Sequence, residues 1–240
     1  KDVEQVYLQR GEHRGLSAVM GWINFDKPCL TGSDYSLVVK IPKTIERQSK
    51  LNAKIYFKCE NFQKTGSFKI RGALNVVLNL PLEAVEKGVV THSSGNFGQA
   101  LAYASRLKGI KNYIIMPSNT PAIKIDAVKD YGGNVMICGP SLKHRIAMAE
   151  EIIADTGATL LHSSNNEHVI IGQGTAAFEF LQGQPDLDAL ICPVGGGGII
   201  AGTCLAAAGT CEVYGAEPFE ADDAYRSIQS GKLESNSTTN

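Results

Sequence analysis

None of the six cysteines (Cys29, Cys59, Cys138, Cys192, Cys204 and Cys211) stands in a CxxC pair. Most lie in apolar strand or helix patterns, so they read as buried free thiols in a reducing compartment rather than as a disulfide framework. Long apolar runs are missing too: the stretch 189–194 is among the longest and is far too short to span a bilayer. The N-terminus lacks a basic region followed by an apolar stretch, so no signal peptide is expected and the expected location is cytoplasmic. Charge of one sign is not in excess. With 23 Lys and Arg against 24 Asp and Glu the net charge is −1, and nothing draws the chain to nucleic acid or an anionic membrane. There is no internal repeat and no long linker. What is present is 43% hydrophobic residues and 25 glycines in 240 positions, a globular composition that suits an α/β protein with tight strand–helix turns.

From residue 54 onward the hydrophobic pattern alternates. Strands are expected at 54–59, 89–92, 113–116, 135–138, 159–161, 189–194 and 212–216. Helices are expected at 68–80, 96–108, 123–131, 141–155, 168–181, 199–208 and 221–230. The helix at 168–181 is expected despite Gly172 and Gly174. Short, near-continuous apolar strands separated by helices imply parallel sheets covered on both faces. Residues 1–9 have helical character. Residues 10–40 hold the only tryptophan, Trp22, and show no sustained period, so they have no place in the α/β pattern; the tail 234–240 is polar and expected to fray.

The segment KTGSFKIRGA, 64–73, sets Lys69 among Gly66, Ser67, Phe68 and Ile70. A partly desolvated lysine has a lowered pKa and offers a free amine that attacks carbonyls. A plain loop lysine before a helix is the alternative.

Ligands of parallel α/β sheets bind beyond the carboxyl ends of the strands, facing helix N-termini. Three segments occupy such positions. In THSSGNFGQ, 91–99, the small residues Ser93, Ser94, Gly95 and Asn96 suit a carboxylate; the alternative is N-capping by Ser94 or Asn96, worth about 1 kcal/mol. In PVGGGGIIAG, 193–202, the glycines Gly195, Gly196, Gly197 and Gly198 leave backbone N–H groups free for a phosphate. No Lys-Ser/Thr follows, so this is not a Walker loop. It does match G-x-G-x-x-A through Gly196, Gly198 and Ala201, with Glu217 about 20 residues on, so taken alone it also supports an NAD(P)-dependent oxidoreductase. In EPFEADDAYRS, 217–227, Glu217, the Ala221 carbonyl and Asp223 are spaced for a hydrated Mg²⁺ or Mn²⁺; the alternative is that Asp222 and Asp223 cap the following helix.

Together with GQGT at 172–175, these motifs occur in one order, and over about 54–233 the chain closely resembles the pyridoxal-phosphate enzymes of the serine racemase and serine/threonine dehydratase group. The resemblance implies the tryptophan-synthase-β-like fold (PLP fold type II) of two parallel-sheet α/β domains. Residues 1–80 and 164–240 would form the large, cofactor-binding domain and 81–163 the small, substrate-side domain. It implies that Lys69 carries pyridoxal phosphate through an imine and acts as a base on one face of the substrate Cα. By the same resemblance Gly195, Gly196, Gly197 and Gly198 hold the phosphate, Asn96 bonds the phenolic oxygen, and Phe68 packs on the ring. Ser93, Ser94 and Gly95 hold the amino-acid carboxylate, Ser94 is the acid/base on the opposite face, and Glu217, Ala221 and Asp223 bind the activating cation. Many plain threonine dehydratases carry alanine where Ser94 stands, so the resemblance favours a serine racemase with L-serine and L-threonine dehydratase side activity over a pure dehydratase. The substrates would be L-serine, D-serine and L-threonine, and a homodimer is compatible with the resemblance.

The chain departs from the family pattern in three places. Phe97 stands where histidine is usual. The T-P-x-L-x-S segment is not recognisable within 10–40, which reads as an insertion and weakens the case for ATP as an effector. The chain also stops near Leu233, before the segment that supplies the Ser or Cys facing the pyridine nitrogen. The large domain is therefore expected to be C-terminally incomplete, and a truncated, non-catalytic relative stays open as an alternative.

Overall fold

A computed structural model describes residues 18–19, 38–40 and 53–236. The expected helix at 1–9 lies outside the described residues, as do most of 10–40 and the tail beyond 236. In chain order the first elements are β1 (Ala18–Val19), β2 (Val38–Lys40), β3 (Tyr56–Lys58), α1 (Lys69–Leu78), α2 (Leu82–Lys87), β4 (Val89–Thr91), α3 (Asn96–Lys108) and β5 (Asn112–Pro117). There follow α4 (Ala122–Asp130), β6 (Val135–Cys138), α5 (Leu142–Thr156), β7 (Thr159–Leu160), α6 (Glu167–Gly183), β8 (Ala189–Pro193), α7 (Gly198–Ala207), β9 (Glu212–Ala216) and α8 (Asp223–Ser230). The described residues fall into two compact units, one of 18–19, 38–40, 53–60 and 174–236, the other of 61–173.

In the unit of 61–173, four parallel strands lie in the order β6-β5-β4-β7. Successive strand residues face opposite sides. Val89, Ile114 and Met116 pack with Ile70, Val76, Leu101 and Val128 of α1, α3 and α4, whereas Val90 and Ile115 pack with Ala149 and Ile152 of α5. Both faces are covered, which is why these strands read as unbroken apolar runs rather than as an alternation. Each fully buried Val, Leu or Ile contributes roughly 1.5–3 kcal/mol. Helix α5 begins on a capping box between Ser141 and His144 and ends on Gly157 in the left-handed region.

In the other unit the sheet order is β2-β3-β1-β8-β9. Segment 10–40, which the sequence pattern could not place, supplies β1 between β3 and β8, parallel to both, and β2 on the edge, antiparallel to β3. Strands of two and three residues are too short to show a period. Helix α8 starts two residues later than expected, after a 3₁₀ turn at Phe219–Ala221. The tail is tied down as far as residue 236: Glu234 N donates to Ser227 Oγ at 2.9 Å, and Asn236 Nδ2 to Asp223 Oδ1 at 2.7 Å.

The two glycines that weaken the helical pattern of α6 sit at close helix crossings. A Cβ on Gly172 would lie 2.6 Å from the Arg71 carbonyl of α1, and one on Gly174 would lie 2.6 Å from the Gly202 carbonyl of α7. Each glycine costs the helix about 1 kcal/mol, and each lets two backbones meet. Among the described residues no helix is long and apolar enough to cross a membrane. Cys59, Cys138 and Cys192 are free and buried, as expected, but Cys204 is exposed and Cys211 only half-buried.

Candidate active site

Lys69 is the first residue of α1, reached through a 3₁₀ turn at Lys64–Gly66. Thr65 in that turn is buried and has φ 67° and ψ 12°, a left-handed conformation that a β-branched residue adopts at a cost of roughly 1–3 kcal/mol. The Lys69 amine donates to the Ser163 carbonyl at 3.0 Å and lies 5.1 Å from the Phe68 ring centroid. Burial holds its pKa below the ordinary lysine range. The positive end of the α1 dipole acts in the same direction. Burial and a single carbonyl partner among the described residues shift this amine toward its nucleophilic, unprotonated form.

His162 lies within the field of this amine, and His92 lies against His162. The β4–β7 register pairs Val90 with Leu160, so His92 and His162, each two residues further on, emerge next to one another. Their rings meet edge to face at 6.0 Å. Burial, then the charges of His92 and Lys69, hold His162 below its usual range. The sequence reading singled out neither ring. A histidine just past each of two neighbouring strands was the signal, one residue beyond β4 and two beyond β7, but it has meaning only once those strands are known to pair.

After His92 the chain forms the turn 93–95 and enters α3 at Asn96. Gly95 is the N-cap, and no side chain caps the helix. Neither Ser94 nor Asn96 therefore serves as the plain cap that was the alternative reading. An added Cβ on Gly95 would meet nothing within 4 Å, so the first-turn amides of a 13-residue helix open onto space not filled by protein. Phe97 is buried in the core between α3, α1 and the sheet.

In the other unit, β8 runs into the four glycines and α7. Gly197 is the N-cap with φ 84°, a conformation that strongly favours glycine, and it too lacks a side-chain cap. The helical ladder begins with Ala201 N donating to Gly197 O at 3.0 Å, so the preceding amides are free of it. Added Cβ atoms on Gly195 or Gly197 would meet no atom within 4 Å. Free amides, the helix dipole and unfilled space fit a phosphate.

Glu217, just past β9, is buried, and both its carboxylate oxygens are engaged: Oε1 accepts the Ala224 N–H at 3.2 Å and Oε2 the Tyr225 N–H at 2.9 Å. It is thus the group that caps α8. Asp222 instead pairs with Arg226 at 2.7 Å and Asp223 accepts from Asn236. Among the described residues no three His, Cys, Asp or Glu side chains form a metal-binding cluster. Glu217, the Ala221 carbonyl and Asp223 are donors of the type a hard cation takes, and the two carboxylates already accept N–H groups of the protein.

Residues 40–240 match the model of the family described as "Pyridoxal-phosphate dependent enzyme". The chain is 47% identical over 183 residues to serine racemase of Dictyostelium discoideum, covering 75% of this chain and 56% of that protein. Maize serine racemase superposes with a TM-score of 0.82 at 41% identity, over 86% of this chain and 63% of that one. The processed form of threonine deaminase isoform 2 from Solanum lycopersicum gives 0.80 at 31% identity, over 89% and 64%. The chain spans little more than half the length of the curated relatives it matches. With the family model covering most of its length, and with an amine and a glycine loop suited to an aldehyde cofactor and its phosphate, the chain belongs to the pyridoxal-phosphate dependent enzymes.

Proposed function

We infer that this chain carries the cofactor- and substrate-binding part of a serine racemase that also dehydrates L-serine and L-threonine. The observation that carries the reading is the Lys69 amine, desolvated at a helix start and held by a backbone carbonyl rather than by an acid. Gly195, Gly196, Gly197 and Gly198 hold the cofactor phosphate through their amides, Asn96 bonds the phenolic oxygen, and Phe68 flanks the ring. When bound, pyridoxal phosphate supplies an electron sink that makes the substrate α-proton removable.

Ser93, Ser94 and Gly95 hold the substrate carboxylate at the open start of α3. The neutral Lys69 Nζ takes the α-proton on one face, and the Ser94 hydroxyl delivers one on the other. Each such proton transfer is typically worth about 10²–10⁴ in rate. Residues 1–80 and 164–240 bind the cofactor, 81–163 the substrate, and Glu217, Ala221 and Asp223 take the cation in the cytoplasm-located protein. The nicotinamide reading leaves the Lys69 amine and the turn 93–96 without a role.

A pure dehydratase is the second reading, favoured by the likeness to threonine deaminase. Incubation with L-serine in the presence of pyridoxal phosphate and Mg²⁺, with D-serine and pyruvate both assayed, separates the two. D-serine together with pyruvate supports the racemase; pyruvate alone supports the dehydratase. Neither product from a folded, cofactor-loaded chain overturns both readings and leaves a non-catalytic relative.

A further inference from the structure

We propose that His162 is the positioning residue of Lys69: its unprotonated Nδ1 closes the turn that presents the Ser163 carbonyl to the Lys69 amine.

His162 Nδ1 accepts two backbone N–H groups, from Asn165 at 2.9 Å and from Ser164 at 3.2 Å, with Ser164 Oγ a further 3.4 Å neighbour. A ring nitrogen that accepts backbone amides carries no proton, so neutral His162 holds its hydrogen on Nε2. These bonds fold residues 162–165 back on themselves. The other end of the turn is fixed by Asn166 Oδ1, which accepts the Val169 N–H at 3.1 Å at the start of α6. Ser163 sits between these two anchors, and its carbonyl is the hydrogen-bond acceptor of the Lys69 amine, 3.0 Å away. Helix α1 is held against the same stretch by Asn75 Nδ2, which donates to the His168 carbonyl at 2.7 Å. Donor and acceptor are thus each fixed by separate bonds, and among the described residues the side chain that closes the Ser163 turn from the strand side is His162.

Protonation turns Nδ1 from an acceptor into a donor, set against two N–H groups. The turn then loses its closure and the Ser163 carbonyl its position. The groups acting electrostatically on His162 are His92, at the end of β4, and Lys69, at the start of α1. Both disfavour an added positive charge there, as does the partial desolvation of this otherwise solvent-exposed ring. The closed turn is therefore the state at neutral pH and above, and opens as the solution is acidified.

The inference concerns the lysine environment and stands without the catalytic reading; its importance for turnover rests on that reading. The test uses cofactor-free protein: the pH dependence of trinitrobenzenesulfonate labelling of Lys69, read on its own peptide by mass spectrometry, in wild type, His162→Asn, His162→Gln and His162→Ala. Asparagine places an oxygen near the Nδ1 position, glutamine near Nε2. The expected result is a wild-type labelling midpoint below that of an ordinary lysine, kept in His162→Asn and lowered further in His162→Gln and His162→Ala, because a placed carbonyl accepts more strongly from the ammonium than from the neutral amine. The midpoint, unlike the rate, does not depend on access of the reagent. Nitrogen-15 NMR of the wild-type ring at neutral pH adds a readout that needs no variant, and an unprotonated Nδ1 is expected. A proton on Nδ1, or an equal midpoint in all four proteins, or an Asn variant that behaves like the Ala variant, overturns the proposal. Failure of the catalytic reading would appear separately, as cofactor that binds without turnover of L-serine while the labelling pattern holds.

Discussion

Gly98→Ala separates the stability of the fold from the placement of the substrate turn. Gly98 lies in the first turn of α3, and a Cβ there would stand 2.4 Å from the Ser93 carbonyl and 3.0 Å from Ile114 Cγ2. Ordinary contact begins near 3.4 Å, so the backbone at Ser93 must retreat by about 1 Å. Overpacking of this kind costs about 1–3 kcal/mol. Alanine in place of glycine returns about 1 kcal/mol of helix propensity, so the net loss of stability is small, about 0–2 kcal/mol. A displacement of about 1 Å in a substrate-holding group is far more damaging, on the order of 10²-fold in rate. Urea denaturation followed by circular dichroism measures the first quantity, and L-serine turnover the second. Near-normal stability with turnover about a hundredfold down is the expected pair. A Gly98→Ala protein that turns over L-serine at the parental rate refutes the role assigned to residues 93–95. Gly95→Ala is the companion: it meets no protein atom, so stability stays within about 0.5 kcal/mol while KM for L-serine rises.

Further consequences follow for the other segments. Gly195→Ala is expected to leave the fold intact yet weaken pyridoxal-phosphate binding, because its methyl enters unfilled space; Gly197→Ala adds strain of about 1–2 kcal/mol at φ 84°, and equilibrium dialysis against the cofactor measures both. Glu217→Gln turns one acceptor into a donor facing a helix amide, costing about 1–3 kcal/mol, and hydrogen–deuterium exchange at Ala224 and Tyr225 should quicken. Lys69→Met stabilises the cofactor-free protein at neutral pH. The folded pKa of Lys69 is lowered, so on acidification through the ordinary lysine range the unfolded chain takes up a proton that the folded one refuses. The stability gap between variant and wild type, read as urea midpoints, should therefore narrow as the pH rises toward the ordinary lysine value of about 10.4 and be absent above it.

Most elements between 54 and 230 were legible in the sequence, because buried parallel strands such as Ala189–Pro193 leave unmistakable apolar runs between helices. Less legible were features set by tertiary contact. Thr65 adopts a left-handed conformation that its own chemistry disfavours, so no propensity rule points to the turn before Lys69. Helix α2 is only six residues, too short for a period. Glu217 looked like a ligand or a ribose acid by spacing, yet its carboxylate caps a helix that starts six residues later. His92 and His162 lie 70 positions apart in sequence and meet only through the β4–β7 register. The motif residues around Lys69 and the four glycines were visible because unusual backbone and small side chains leave a direct mark on composition.

The central claim is that Lys69 is the residue that joins the cofactor. Pyridoxal phosphate added to the purified chain should give a yellow protein with an imine absorbance band that borohydride traps on the Lys69 peptide, and Lys69→Ala should stay colourless while remaining folded. An imine band of equal strength in folded Lys69→Ala, or trapping on another lysine, would contradict the account.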